Sequence, residues 1–159
     1  MRKAVSLFVL PGLLVSASAA AGSAQDRSGD VRGLQITLKS EAPAERAAAA
    51  RILGEIGPAA RDAAPALAQA LKDGDPAVRQ NAAQALGYIG PGAKVAAPAL
   101  ITALSDKEAP VRRSAAFALG KVGSLEAEAA LKTARKDKVE AVRNAAKVAL
   151  KDLKKFKKS

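Results

Sequence analysis

The sequence predicts an all-α fold, a right-handed α-solenoid of antiparallel helical hairpins. Three observations predict it. Leu38, Leu71 and Leu104 stand 33 residues apart, and Gly54, Gly87 and Gly120 keep the same step. Gly57, Gly90 and Gly123 repeat it once more. A fixed period of this size marks a stacked array whose units bury their apolar faces only against one another. Within one unit, Val78, Ala82, Leu86 and Ile89 recur at helical spacing, forming a single apolar stripe.

The unit from residue 71 to 104 shows how each element arises. Asp75-Pro76 opens a first helix, because the Asp carboxylate accepts free N–H groups of the first turn and Pro is tolerated at the first helical position. Gly90 closes that helix, where a left-handed residue satisfies the last turn. Pro91-Gly92 makes the turn, and Pro98 opens a second helix with Ala97, Leu100, Ile101 and Leu104 inward. Two short helices joined in this way form a hairpin.

The run D-P-x-V-R, then A-A-x-A-L-G-x-I-G, then A-P-A-L-x-x-A-L resembles the short bacterial HEAT repeats, the type also found in phycobilisome (PBS) lyase proteins. The resemblance covers roughly residues 33 to 153. It implies a ladder that pairs an Asp at the end of one second helix with an Arg in the next first helix. Asp73/Arg79, Asp106/Arg112 and Asp137/Arg143 each stand six apart, whereas the first unit has Ser40 six before Arg46. On this reading the pairs cross-link adjacent units and are structural.

In chain order, residues 1 to 24 begin with Arg2 and Lys3, continue through a mostly apolar run from Ala4 to Val15, and end in small residues. That order reads as a secretory signal peptide, cleaved after Ala24, with Ala21 and Ala19 as alternatives. The apolar run is too short for a membrane span, which needs about 20 residues. Residues 25–32 read as a flexible linker, and residues 33–156 as the array. Its units are about 33–40 (partial), 41–73, 74–106, 107–137 and 138–156 (a partial cap). Val31, Leu34 and Leu38 form the apolar side of the leading helix. Ala44 to Glu55 is the next first helix, with Ala48, Ile52 and Ile56 inward, and Asp62 to Leu71 is its partner. Val111, Ala115, Leu119 and Val122 repeat the stripe, but Val111 to Val142 spans 31 residues, so two are missing around Ser124-Leu125. Such a deletion belongs in the turn between helices. Val139 to about Lys154 is a further first helix, with Val142, Ala146, Ala149 and Leu153 inward.

Charge is uneven. Residues 25 to 131 carry thirteen Lys/Arg against twelve Asp/Glu, while residues 132 to 159 carry eleven against three. Lys147, Lys151, Lys154 (or Lys155) and Lys158 share one helical face opposite the apolar stripe. This face is a candidate contact for a polyanion, including an anionic envelope polymer, or else a solvated cap that keeps an open end soluble. The export signal and the scarcity of aromatics for base stacking argue against nucleic acid.

The chain has no His and no Cys, so it lacks the usual neutral-pH base, the thiol nucleophile and the commonest metal ligands. The HEAT-like family includes an iron-dependent hydroxylase that binds iron through His and Glu; without His that activity does not carry over. No cofactor is implied. The expectation is an exported, non-enzymatic scaffold, periplasmic or secreted, that binds an unidentified protein partner and has no membrane span once the signal is removed. Tandem hairpins curve into a superhelix, and Gln69, Lys72, Thr102, Ser105, Lys132 and Arg135 on the second helices are the expected concave binding face.

Overall fold

The computed structural model describes residues 24–158, and these are helical with no β-strand among them. The reading of residues 1–24 as a signal peptide falls outside the described residues except for Ala24. Four long helices alternate with four partners. The long ones are α2 (Pro43–Ile56), α4 (Pro76–Ile89), α6 (Ala109–Val122) and α8 (Glu140–Phe156). The partners are α1 (Ala24–Thr37), α3 (Ala64–Ala70), α5 (Ala97–Ala103) and α7 (Glu128–Ala134). The two sets form two layers, and successive long helices pack on one another through the array. Among the described residues no helix is long and apolar enough to cross a membrane.

Two expectations are corrected. Residues 25–32, read as a linker, lie within α1. Val31 and Leu34 on that helix, and Leu38 just after it, are buried. In α2 the inward stripe is Ala49, Ala50 and Leu53, not Ala48 and Ile52, which are only partly buried. The 33-residue step from Ala82 and Leu86 leads to Ala49 and Leu53, and the core follows that step.

Asp75 caps α4 as its position predicts, accepting from the amides of Ala77 (2.8 Å) and Val78 (3.2 Å). Three glycines end the long helices with positive φ, but not alike. Gly57 and Gly90 combine φ of 67° and 72° with ψ near −136° and −139°, whereas Gly123 has φ 74° and ψ 30°. Pro58 and Pro91 follow the first two, and a following proline excludes helical ψ at the residue before it. Ser124 follows Gly123, which therefore takes the ordinary left-handed conformation. The difference sets the connections. Seven-residue 3-10 turns, Gly57–Ala63 and Gly90–Ala96, follow the first two, and only Leu125–Ala127 follows the third. The two missing residues are taken from this turn.

The long helices approach one another through small residues. A Cβ placed on Gly54 would lie 3.1 Å from Ala85 Cα. One on Gly87 would lie 2.5 Å from the Phe117 ring and 3.1 Å from Ala118 Cα. One on Gly120 would lie 2.7 Å from Ala149 Cα. The shorter α3 and α5 touch each other only slightly, and α3 packs more on the turn that precedes α5.

Two glycine substitutions should therefore have opposite effects. Gly→Ala inside a helix gains about 1 kcal/mol of propensity, but at Gly120 the new methyl meets backbone that cannot move aside. Gly120→Ala should lower stability by about 1–2 kcal/mol net. Gly74→Ala, with nothing within 4 Å of the added carbon, should be neutral or stabilising by up to about 1 kcal/mol. Urea unfolding midpoints of the two variants check the pair.

Candidate functional site

The inter-unit loops are tied by arginines. Arg79 Nε and Nη2 donate to the Asp106 carboxylate at 2.7 and 3.0 Å, while Nη1 donates to the carbonyls of Asp73 (2.9 Å) and Gly74 (3.1 Å). Arg112 does the same with Asp137 (2.7 and 3.0 Å) and the carbonyls of Asp106 and Lys107. Arg46 pairs with Asp73 (2.7 and 2.9 Å) and with the carbonyls of Ser40 and Glu41.

The expected pairs six residues apart are thus corrected. Each Arg meets the residue six before it through that residue's backbone carbonyl, and its charge partner is the Asp 25 or 27 residues later. The carboxylates also turn back on their own loops. Asp73, Asp106 and Asp137 accept the amides of Asp75, Glu108 and Val139 at 2.9, 2.9 and 2.8 Å. Ser40 takes the place of the Asp in the first unit, with its hydroxyl accepting the Ala42 amide and donating to Glu45. Arg143 keeps the carbonyl half of the pattern, donating to Asp137 and Lys138, and has no carboxylate partner among the described residues.

The hydrogen bonds from Arg46 and Arg112 hold the Asp73 and Asp137 carboxyls below the ordinary carboxylate range. At Asp106 burial pushes upward, but the bonds from Arg79 and from the Glu108 amide outweigh it together, and the net direction is down. Arg79 and Arg112 are 7% exposed, so the ladder is largely withdrawn from ligands and acts as a clasp.

The surface candidates lie on three different faces. Gln69, Lys72, Thr102, Ser105, Lys132 and Arg135 are all exposed on the short-helix layer. Thr102 donates to its own helix at Pro98 (3.2 Å), and Lys132 pairs with Glu128 at 2.9 Å. Bonds from Lys132 first, and then from Lys157, pull the Glu128 carboxyl down to about 2. A groove lies instead on the long-helix layer. It is an open groove of about 480 Å³ across α4, α6 and α8.

The floor of this groove is apolar. Tyr88 is 50% exposed and meets Phe117 edge-on, with ring centroids 5.6 Å apart. Val148 beside them is 57% exposed. Gln84 donates to the Tyr88 hydroxyl at 3.1 Å, and Asn144 completes the lining. At one end Asp152 is neutralised by Lys121 (3.2 Å) and Lys155 (3.0 Å). Arg113 lines the groove, exposed, with no carboxylate partner among the described residues.

Sequence reasoning missed this row, although Gln84, Phe117 and Val148 sit at one repeat position, and comparing that outward position from unit to unit would have found it. The lysine face is as expected at Lys147, Lys151, Lys154 and Lys158, which are exposed. Lys155 differs, because it is engaged with Asp152. Among the described residues no cluster of His, Cys, Asp or Glu could hold a metal ion.

The hairpin array and its arginine clasp define a helical repeat protein. The sequence matches the HEAT repeats family over residues 31–107 and again over 88–151, and the chain belongs to that family. No curated protein matches it. It is similar to a solved chain in the complex of CpcE and CpcF of phycocyanin lyase from a Nostoc species. The identity is 28% and the TM-score 0.71, over 83% of this chain and 55% of that one. It is also similar to human deoxyhypusine hydroxylase in complex with glycerol, with 32% identity and TM-score 0.64 over 79% of this chain and 43% of the other. A designed armadillo repeat protein in complex with the peptide (KR)4 shares the fold at 18% identity and TM-score 0.68, over 80% of this chain and 66% of that one. The chain thus spans about half the length of the two natural proteins.

Removing one clasp should be costly. Asp106→Asn leaves the nearly buried Arg79 guanidinium without its counter-charge, and should lower stability by about 3 kcal/mol, read from chemical unfolding. The three ladder carboxyls have folded-state pKa values below their unfolded ones. Their contribution is therefore complete above about pH 4 and is lost as the pH falls further. An acid titration followed by circular dichroism should show wild-type stability declining below about pH 4, with a shallower decline in Asp106→Asn.

Proposed function

We propose that this chain is an exported, non-enzymatic HEAT-repeat scaffold that docks a segment of a partner protein in the groove of its long-helix layer. The observation that carries this reading is the apolar row of exposed Tyr88 and Val148 with half-buried Phe117 between them, bordered by Arg113, which has no carboxylate partner among the described residues. Exposed aromatic and aliphatic side chains gathered in a groove favour a macromolecular contact over plain solvation. Arg113 favours a segment with a carboxylate beside its apolar anchor. The complex of CpcE with CpcF, a natural assembly with a similar fold, supports a role in holding another chain. Export rests on the basic, apolar, then small-residue order of residues 1–24.

A second reading, contact of an anionic polymer with Lys147, Lys151, Lys154 and Lys158, is favoured by one observation. These four lysines are exposed, with no carboxylate partner among the described residues. One experiment separates the two. The tagged full chain is expressed in its source cells, fractionated, and its bound material washed at low and high salt, beside Val148→Glu and a variant with the four lysines changed to Gln. The groove reading expects export and one defined protein retained through high salt. Val148→Glu should reduce that protein at least tenfold, and the lysine variant should leave it unchanged. Loss of all bound material at high salt and in the lysine variant would transfer the function to α8.

A further inference from the structure

The groove has a grain that follows from the repeat register. Gln84, Phe117 and Val148 hold one position in successive long helices, and Arg113 and Asn144 hold the position one helical turn earlier. Residues four apart share a helix face, so the apolar row crosses α4, α6 and α8 along the array with Arg113 and Asn144 together on one flank. Lys121 and Asp152 hold the position one turn later, on the opposite flank, and pair with each other at 3.2 Å.

The two flanks differ in charge. Asp152 is the one carboxylate among the groove residues, and Lys121 and Lys155 already engage it. On the other flank Arg113 has no carboxylate partner among the described residues, and the Asn144 side chain has no hydrogen bond there. Ser114 lies beside Arg113. Its counterpart one unit earlier, Asn81, reaches across to the Ala47 carbonyl of α2 at 3.1 Å, and the shorter Ser114 makes no such bond. Ser114 is 4% exposed and lines the groove, and its hydroxyl has no partner among the described residues. A polar group so far withdrawn from water ordinarily has a partner, and the groove is where this one opens. A guanidinium, an amide and a hydroxyl all donate, so one flank offers three donor groups and no negative charge. That set suits a carboxylate.

We infer that Arg113, Ser114 and Asn144 form a carboxylate subsite. The segment docked in the groove carries an Asp or Glu whose side chain turns to this flank, while its apolar neighbours lie on Tyr88, Phe117 and Val148. The inference rests on the groove reading above and adds what selects the partner. The direction of the row decides between a side chain and a chain terminus. A segment lying along the row passes the three donors sideways, where a side chain reaches them and a terminus does not.

The test pans the immobilised full chain against two random peptide libraries, one displayed within a loop of its carrier and one ending in a free carboxylate. Enriched peptides are then synthesised and titrated against wild type and variants. The loop library should yield peptides that join an acidic residue to large apolar ones, and changing the acid to its amide should weaken binding about tenfold. Arg113→Gln should abolish that preference and leave the affinity for the amide peptide unchanged; Ser114→Ala and Asn144→Ala should narrow the preference. Arg113 and Asn144 are exposed, Ser114→Ala only shortens a side chain, and the helical signal of each variant verifies folding. Lys147→Gln/Lys151→Gln should keep the preference; its loss there would ascribe it to net charge and overturn the subsite. Peptides that Val148→Glu displaces but that show no preference for the acid, or that come only from the free-carboxylate library, overturn the subsite and leave the groove reading standing. Peptides indifferent to Val148→Glu, or no enrichment from either library, overturn the groove reading and the subsite with it.

Discussion

Backbone-level contact between successive long helices is the constraint on which the rest of the molecule depends. It requires glycine or alanine at two positions per unit, and it sets the spacing of one layer independently of the other. Gly54 against Ala85, Gly87 against Ala118 and Gly120 against Ala149 hold that spacing through the array. The short helices have no such contact, and their apolar residues instead fill the space between the layers, with Leu67, Leu100 and Leu131 wholly buried. A core made of Ala, Leu, Val and Ile suffices because helices this close need little side-chain volume between them.

The arginine ladder answers a different need. Where one unit turns into the next, backbone carbonyls would be left without partners, and each guanidinium covers two of them while neutralising the carboxylate of the following loop. Arg79 thus joins the loop before its helix to the loop after its hairpin. Every Asp is shared between its own loop's amide and the arginine of its own unit, so the loops are fixed in sequence along one edge. Stacking of the helices and clasping of the loops reinforce each other, because a shift in either would break the other.

Much of this was legible in the sequence. The period located the hairpins, the glycine ends and the shortened third turn, since each depends on residues close together in the chain. The cap at Asp75 followed from one side chain and its neighbours. What was not legible depended on partners far apart in sequence or on geometry between units. Five of the six ladder residues could be named, but Arg46 was left out and Arg143 put in, because spacing along the chain does not say which way a loop carboxylate turns. The groove is assembled from side chains of three helices in different units, and the six residues chosen on the short helices were placed by a general expectation about superhelices. The stripe of α2 was misplaced by one position because runs of alanine, such as residues 47–50, give no contrast between faces.

One consequence of the ladder concerns how the chain reaches this structure. Its hydrogen bonds join residues 25 or 27 apart, and the side-chain bond from Asn81 to the Ala47 carbonyl spans only 34. Each substantial contact between elements lies within a unit or between adjacent units. No segment has to wait for a distant one, so the search is a succession of short loop closures rather than one long closure. Ordering can begin at any hairpin and spread to its neighbours, and a lesion in one unit raises the barrier locally without erasing what has formed elsewhere.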